Sequence, residues 1–157
     1  MSFFVRNART QFVAATEELL KIVMSNFPDC PETKEVELFF KNVTKHSDQK
    51  IDEAIQAWYE HLNTALNTKK IKYPKAVERI TGQAIIYHAL SYRDIDALKA
   101  SLDSGMAVKI GLFDKWSDAR LDEKTKTTMW ELLDMITSAS LSFKETTAPV
   151  VPTREQI

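Results

Sequence analysis

Glycine is scarce in this chain, since 157 residues contain only Gly82, Gly105 and Gly111. A loop that cradles phosphate needs glycines clustered at a turn between a strand and a helix. Tight β-hairpins need glycine or asparagine at positive φ. The three glycines stand apart and fit neither pattern. The sequence therefore excludes a glycine-rich phosphate loop and disfavours a hairpin-rich fold.

Cysteine and long apolar runs are also scarce. Cys30 is the only cysteine, which excludes an intrachain disulfide and a cysteine-type zinc site, and indicates a reducing compartment. No apolar run approaches the ~20 residues that span a bilayer. The N-terminus lacks the order of a secretory signal, and Ser2 replaces the glycine that myristoylation requires. We therefore expect a cytoplasmic protein with no membrane insertion.

The charges nearly cancel overall but are unevenly distributed. A formal net charge of −1 creates no global field that would attract nucleic acid or an anionic membrane. Residues 29–68 hold eight acids against four lysines, whereas residues 69–79 hold five basic residues against one acid. A basic turn is thus expected beside an acidic pair of helices.

Apolar residues recur at steps of three and four along most of the chain, which is the spacing of amphipathic helices. This pattern predicts an all-α fold, a single compact bundle of six or seven helices over residues 1–144. Residues 145–157 lose the periodicity and contain Pro149 and Pro152, so we expect a flexible C-terminal tail. The predicted helical segments are 5–27, 31–43, 51–66, 74–87, 95–102 and 122–143. Residues 106–112 fit either a strand or a short helix, and the lack of strand partners favours the helix.

The same spacing predicts which side chains form the core. Each predicted core residue lies on the apolar stripe of its helix. They are Phe12, Leu19, Val23, Phe39, Phe40, Ile55, Trp58, Leu62, Leu98, Leu133 and Ile136.

The residue types that carry catalysis or bind metals show no productive spacing. His46, His61 and His88 have no second histidine or cysteine three or four residues away. Cys30 lies at a helix start, where a thiol pKa can fall, but a small buried side chain is the favoured interpretation. We therefore predict no catalytic residue, no metal site and no cofactor.

The basic turn is the strongest candidate for contact with nucleic acid. Four lysines and a tyrosine could follow phosphates and stack on a base. These candidates are Lys69, Lys70, Lys72, Tyr73 and Lys75. A solvated loop between helices is the favoured alternative, because the acidic flanks would repel phosphates.

Three aromatic residues are candidates for a protein interface. Trp130 lies about one helical step away from the apolar stripe of the last helix, so partial exposure is expected. Exposed tryptophans frequently anchor protein interfaces. Phe3 and Phe4 form a second candidate at the N-terminus.

Short patterns in the chain resemble helical proteins of nucleocytoplasmic large DNA viruses. They include Lys115-Trp116, Leu121-Asp122-Glu123-Lys124-Thr125-Lys126, Met129-Trp130-Glu131-Leu132-Leu133 and Phe27-Pro28-Asp29-Cys30-Pro31. The resemblance covers about a third of the chain and brings no enzymatic residue with it. It implies a virus-encoded protein of the host cytoplasm or the virion.

These observations favour a non-enzymatic helical protein-interaction module, a structural or assembly component of a virion. Its partner would be another protein or a second copy of the chain. The alternative is a nucleic-acid-binding or transcription-associated factor that uses the basic turn 69–79. An enzyme assembled from acids distant in sequence is the third hypothesis.

Overall fold

The computed structural model describes residues 3–62, 85–102 and 106–147, and every regular element within these ranges is a helix. The helices are α1 (Phe3–Asn26), α2 (Pro31–His46), α3 (Asp48–Leu62), α4 (Ile85–Tyr92), α5 (Ile95–Ser101), α6 (Met106–Lys109), α7 (Leu112–Trp116) and α8 (Glu123–Thr147). The predicted all-α bundle is confirmed. The described ranges hold eight helices, because the segment that fitted either a strand or a helix folds into α6 and α7.

The helices begin where the sequence supplies caps. Pro31 occupies the start of α2, where its missing N–H has no intrahelical partner to lose. The Ser47 hydroxyl accepts the backbone N–H of Lys50 at 3.3 Å and caps α3. The Asp122 carboxylate accepts the backbone N–H of Thr125 at 2.7 Å and caps α8. A proline therefore marks the first of these boundaries, and polar caps mark the other two.

The two longest helices form the centre of the bundle. α1 packs along α8, and α2 and α3 both pack against α1. α3 also contacts α8, α4 joins α8 to α5, and α6 lies beside α2. None of the helices in the described part of the chain is long and apolar enough to cross a membrane.

Most of the predicted core is buried in this arrangement. The buried members are Phe12, Leu19, Val23, Phe40, Ile55, Leu98, Leu133 and Ile136. Trp58 is half-buried and packs at the margin of the core, so its predicted burial is only partly met. The side chain of Leu62 lies outside the described residues.

Phe39 is a wrong prediction, since 68% of it is exposed. The sequence pattern placed the buried stripe of α2 on the side of Phe39 and Phe40. In the structure the stripe is rotated towards Thr33 and Glu37, which are buried beside Val36. The sequence pattern missed this buried face because Thr33 and Glu37 are polar, and a buried stripe is usually recognised by its apolar members alone.

Gly111 is the described glycine that the fold requires. Its φ of +62° lies in the left-handed region, where the chain turns from α6 into α7. Its N–H donates to the Val108 carbonyl at 3.0 Å. A β-carbon at this position would stand 3.3 Å from the Lys115 amine. Glycine thus allows the tight junction between the two short helices.

Two predicted segments, the tail and the helix from Pro74, lie largely outside the described residues. α8 continues through Thr147, three residues into the segment expected to be a tail. Residues 148–157 lie outside the described residues, as do residues 63–84 with the predicted start of a helix at Pro74. Flexibility of the tail therefore stays a prediction.

Candidate functional site

Trp130 is buried, so the prediction that it is partly exposed is wrong. Only 7% of it is exposed, and its ring packs edge-on against Trp116 with centroids 4.9 Å apart. The Arg93 guanidinium also lies over the Trp130 ring, 5.5 Å from its centroid. α8 has neighbours on several sides because it is a central helix, so residues beside its main stripe are covered too.

The other sequence-predicted site residues remain untested by the fold. Phe3 and Phe4 belong to the first turn of α1, but their side chains lie outside the described part. The basic turn also falls outside it, with all of its candidate nucleic-acid contacts. Those residues are Lys69, Lys70, Lys72, Tyr73 and Lys75.

Large apolar side chains are instead exposed on the outer surface of α2 and on its neighbour α6. Phe39 and Leu38 are adjacent in the middle of α2, with 68% and 53% of their surface exposed. Val108 is exposed on α6, the short helix that contacts α2. We call Leu38, Phe39 and Val108 the apolar strip. Sequence reasoning missed Leu38 and Val108, because only a fixed helical register shows which apolar residues face outward.

Basic side chains border the apolar strip. The lysines that share the face of Leu38, at steps of three and four along α2, are Lys34, Lys41 and Lys45. Lys41 also pairs with Glu37 at 3.1 Å. Glu35 stands on the same face, and its carboxylate lies 3.9 Å from the Lys109 amine of α6. The rim is therefore cationic on the side of Leu38, whereas Glu32 and Glu35 lie seven and four residues before Phe39 and share its face.

The turn between α4 and α5 brings a histidine and an aspartate together. Asp94 accepts the Ala97 N–H through Oδ1 at 3.2 Å, and its Oδ2 lies 3.1 Å from His88 Nε2. Arg93 has a φ of 51°, and the Asp94 N–H donates to the Ala89 carbonyl at 3.0 Å. This bond pattern is that of a Schellman motif at the end of α4. Both carboxylate oxygens thus hold the turn, which gives the pair a structural role.

A spacing of three or four residues does not reveal this contact, since His88 and Asp94 are six residues apart. They meet only because the chain reverses direction between them. Asp134 of α8 also reaches the turn, where its carboxylate accepts a hydrogen bond from Arg93 at 2.9 Å. The turn is therefore tied to the centre of the bundle.

Cys30 occupies a polar cleft between the start of α2 and α7. It is half-buried, whereas the sequence favoured a small buried side chain. The Thr33 hydroxyl donates to its sulfur at 3.2 Å. Burial opposes the thiolate, but hydrogen bonds from Thr33 and Lys115 outweigh it and lower the pKa of the thiol. Among the described lining residues of this cleft there is no histidine to act as a base.

Over the three described ranges, no three side chains of the types His, Cys, Asp and Glu are grouped closely enough to hold a metal ion. The feature that stands out among the described residues is the exposed apolar strip. Comparisons of the chain with protein-family models, with curated proteins and with solved structures found no match.

Proposed function

We propose that this protein is a helical protein-interaction module that binds its partner through the apolar strip. The observation that carries the proposal is the exposure of Phe39 beside Leu38 on a helix whose opposite face is anchored in the core by Val36 and Phe40. Burying one such side chain is worth about 1.5–3 kcal/mol. Aromatic anchors on a rigid element are typical of interface hot spots.

The lysines beside Leu38 favour one kind of partner. An apolar groove lined by carboxylates would accept the outer face of α2 in the manner of a helix in a groove. Lys34 and Lys45 would then meet acidic side chains, which favours association and fixes the orientation. Two copies of α2 in contact through Leu38 would bring the lysines on that side together. A different protein is therefore the better partner than a second copy of the chain.

The virion role belongs to the same proposal but rests on sequence resemblance alone. In that setting the partner would be another component of the same particle, and the module would act in assembly. The apolar strip would contact the partner in the same way in any compartment that contains the complex.

The test compares variants of the full chain isolated from the cells in which it occurs. Phe39→Glu places a charge at the centre of the strip, while Met135→Glu does so at an exposed apolar residue of α8. We expect one protein partner to accompany the wild type and Met135→Glu and to be lost with Phe39→Glu, with melting temperatures unchanged. A partner retained by Phe39→Glu, or lost with both variants, would contradict the proposed surface.

Two further measurements separate the alternatives. A dimer that forms with rising concentration and disappears in Phe39→Glu would make a second copy the partner. Binding to single-stranded or duplex nucleic acid that weakens steeply with salt would support the alternative function. That binding should be lost when Lys69, Lys70, Lys72 and Lys75 are changed to glutamine.

A further inference from the structure

A partly open cavity of about 260 Å³ lies between α1, α2, α3, α8 and the segment from α5 to α7. Apart from Thr16 and Trp58, every described residue that lines it is alanine, leucine, isoleucine or phenylalanine. None of the described lining residues carries a charged side chain. An apolar cavity of about 150 Å³ is large enough for benzene, so this one has room for a larger molecule.

The two polar side-chain atoms of the described lining do not form part of the open wall. The Thr16 hydroxyl oxygen and the Trp58 indole nitrogen are both buried, so a molecule in the cavity does not reach them. The described side chains therefore present hydrocarbon surface to the cavity and no hydrogen bond. A polar group that entered would leave its hydrogen bonds to water without replacing them there.

The opening of the cavity lies along α3. The described lining residues of the other helices are buried, whereas Ala54 and Trp58 are half-buried and Ala57 is exposed. Positions three and four residues apart share one face of a helix, so these three residues stand together. They form the rim by which a molecule from solvent enters, and the Trp58 ring stands at that rim.

We propose that the cavity binds a small uncharged molecule whose inserted part is hydrocarbon, with an alkylated benzene ring as its simplest form. Concave apolar sites bind by shape and by the apolar surface that they remove from water. A charged group is excluded from the interior, because no described lining side chain would compensate its charge. In such a site each further methylene group that is buried should strengthen binding about fourfold.

This binding site is independent of the proposed interaction surface. Phe40 lines the cavity from the inner side of α2, whereas Phe39 belongs to the apolar strip on the outer side. A failure of one proposal therefore leaves the other standing.

Toluene, ethylbenzene and propylbenzene test the proposal on the full chain. We expect each to raise the melting temperature and the affinity to increase about fourfold with each methylene group. Propiophenone, which has a carbonyl group in place of one methylene of propylbenzene, should bind more weakly than propylbenzene. The indole N–H resonance of Trp58 should shift on binding. Those of Trp116 and Trp130 should change little, since neither is among the described lining residues.

Matched variants locate the site. Ala57→Leu places a larger side chain at the rim and should weaken all three alkylbenzenes several-fold. Ala14→Leu is the control, because Ala14 is also an exposed helical alanine but is not among the described lining residues. Because both positions are exposed, the two variants should melt like the wild type without ligand. If Ala57→Leu fails to fold, Ala54→Leu narrows the same rim and replaces it.

Four outcomes would overturn the proposal. No rise in melting temperature with any alkylbenzene would show that the cavity is not a binding site. Equal affinity along the series, or for propiophenone and propylbenzene, would show that it does not select hydrocarbon. Equal weakening by Ala14→Leu and Ala57→Leu would place the binding elsewhere. A dimer that propylbenzene dissociates would make a second copy of the chain the occupant of the cavity.

Discussion

Arg9 of α1 and Asp52 of α3 form a two-point ion pair, with Nε 2.6 Å from Oδ1 and Nη2 2.7 Å from Oδ2. Only 7% of Arg9 is exposed, an uncommon degree of burial for a charged residue. The hydrogen bond to Asp52 raises the pKa of Arg9 against the opposing effect of burial. The guanidinium also lies 6.0 Å from the ring centroid of Phe143. The pair therefore connects three helices at one point of the bundle.

The first prediction concerns this pair. Arg9→Met should lower the free energy of unfolding by about 1.5–3 kcal/mol, because Asp52 loses its charged hydrogen bonds in a partly buried place. Urea unfolding of the two proteins measures the difference. Lys50→Met is the control, since its pair with Glu53 is exposed at both ends, and it should stay within about 0.5 kcal/mol. Equal effects of the two substitutions would contradict a special role for Arg9.

The second prediction uses two adjacent phenylalanines of opposite burial. Phe40 is 3% exposed, so Phe40→Ala should cost about 3–5 kcal/mol of stability through lost burial and the cavity it leaves. Phe39→Ala should change stability by less than about 0.5 kcal/mol, because the ring is largely in water. Thermal or urea unfolding distinguishes them directly. A large loss of stability in Phe39→Ala would instead support the buried core position that the sequence predicted for Phe39.

These two phenylalanines show how far a sequence can predict this fold. Helical spacing alone predicted the all-α bundle, since the period of the apolar residues is a property of each segment. It could not fix which flank of the stripe on α2 turns inward, because that depends on Thr33 and Glu37 being covered by neighbouring helices. The rotation of a helix is decided by packing, and packing is not a local property.

The candidate surfaces were harder to predict for the same reason. Trp130 lies on a helix with several neighbours, so its position beside the main stripe does not leave it exposed. The cavity wall combines Thr16 and Trp58 from different helices, and no spacing along the chain relates them. Capping positions such as Asp122 were predictable, since a cap acts on the residues that follow it directly.

The third prediction concerns the cap of α8. The backbone N–H of Thr125, followed by its hydroxyl, lowers the pKa of the Asp122 carboxyl. A pKa that is lower in the folded state adds stability above the unfolded value of about 3.9, and this stability is lost as the pH falls through the folded pKa. Asp122→Ala should therefore lower the melting temperature at neutral pH and have less effect in acid. Asp122→Asn keeps an acceptor and should recover most of the loss at neutral pH. Equal melting losses at both pH values in Asp122→Ala would contradict this assignment.

The fourth prediction concerns the thiol of Cys30, the single cysteine of the chain, which a labelling reagent therefore reports without interference. Alkylation by iodoacetamide follows the thiolate, so its pH profile should have a midpoint below that of an ordinary thiol. Thr33→Val removes the hydroxyl that donates to the sulfur and should move the midpoint upward. Glu32→Gln should move it downward, because the Glu32 carboxylate raises the pKa of the thiol.

The same thiol has a defined effect on stability. Its pKa is lower in the folded chain, so the thiolate adds stability above the unfolded value of about 8.5 and this stability is lost as the pH falls through the folded pKa. Cys30→Ser lacks this titration, and its melting temperature should depend less on pH across that window than that of the wild type. Coincident alkylation profiles for the wild type, Thr33→Val and Glu32→Gln would show that neither neighbour controls the thiol. Burial, the backbone N–H of Thr33 and Lys115 would then be the remaining influences on its pKa, of which burial raises the pKa and the other two lower it.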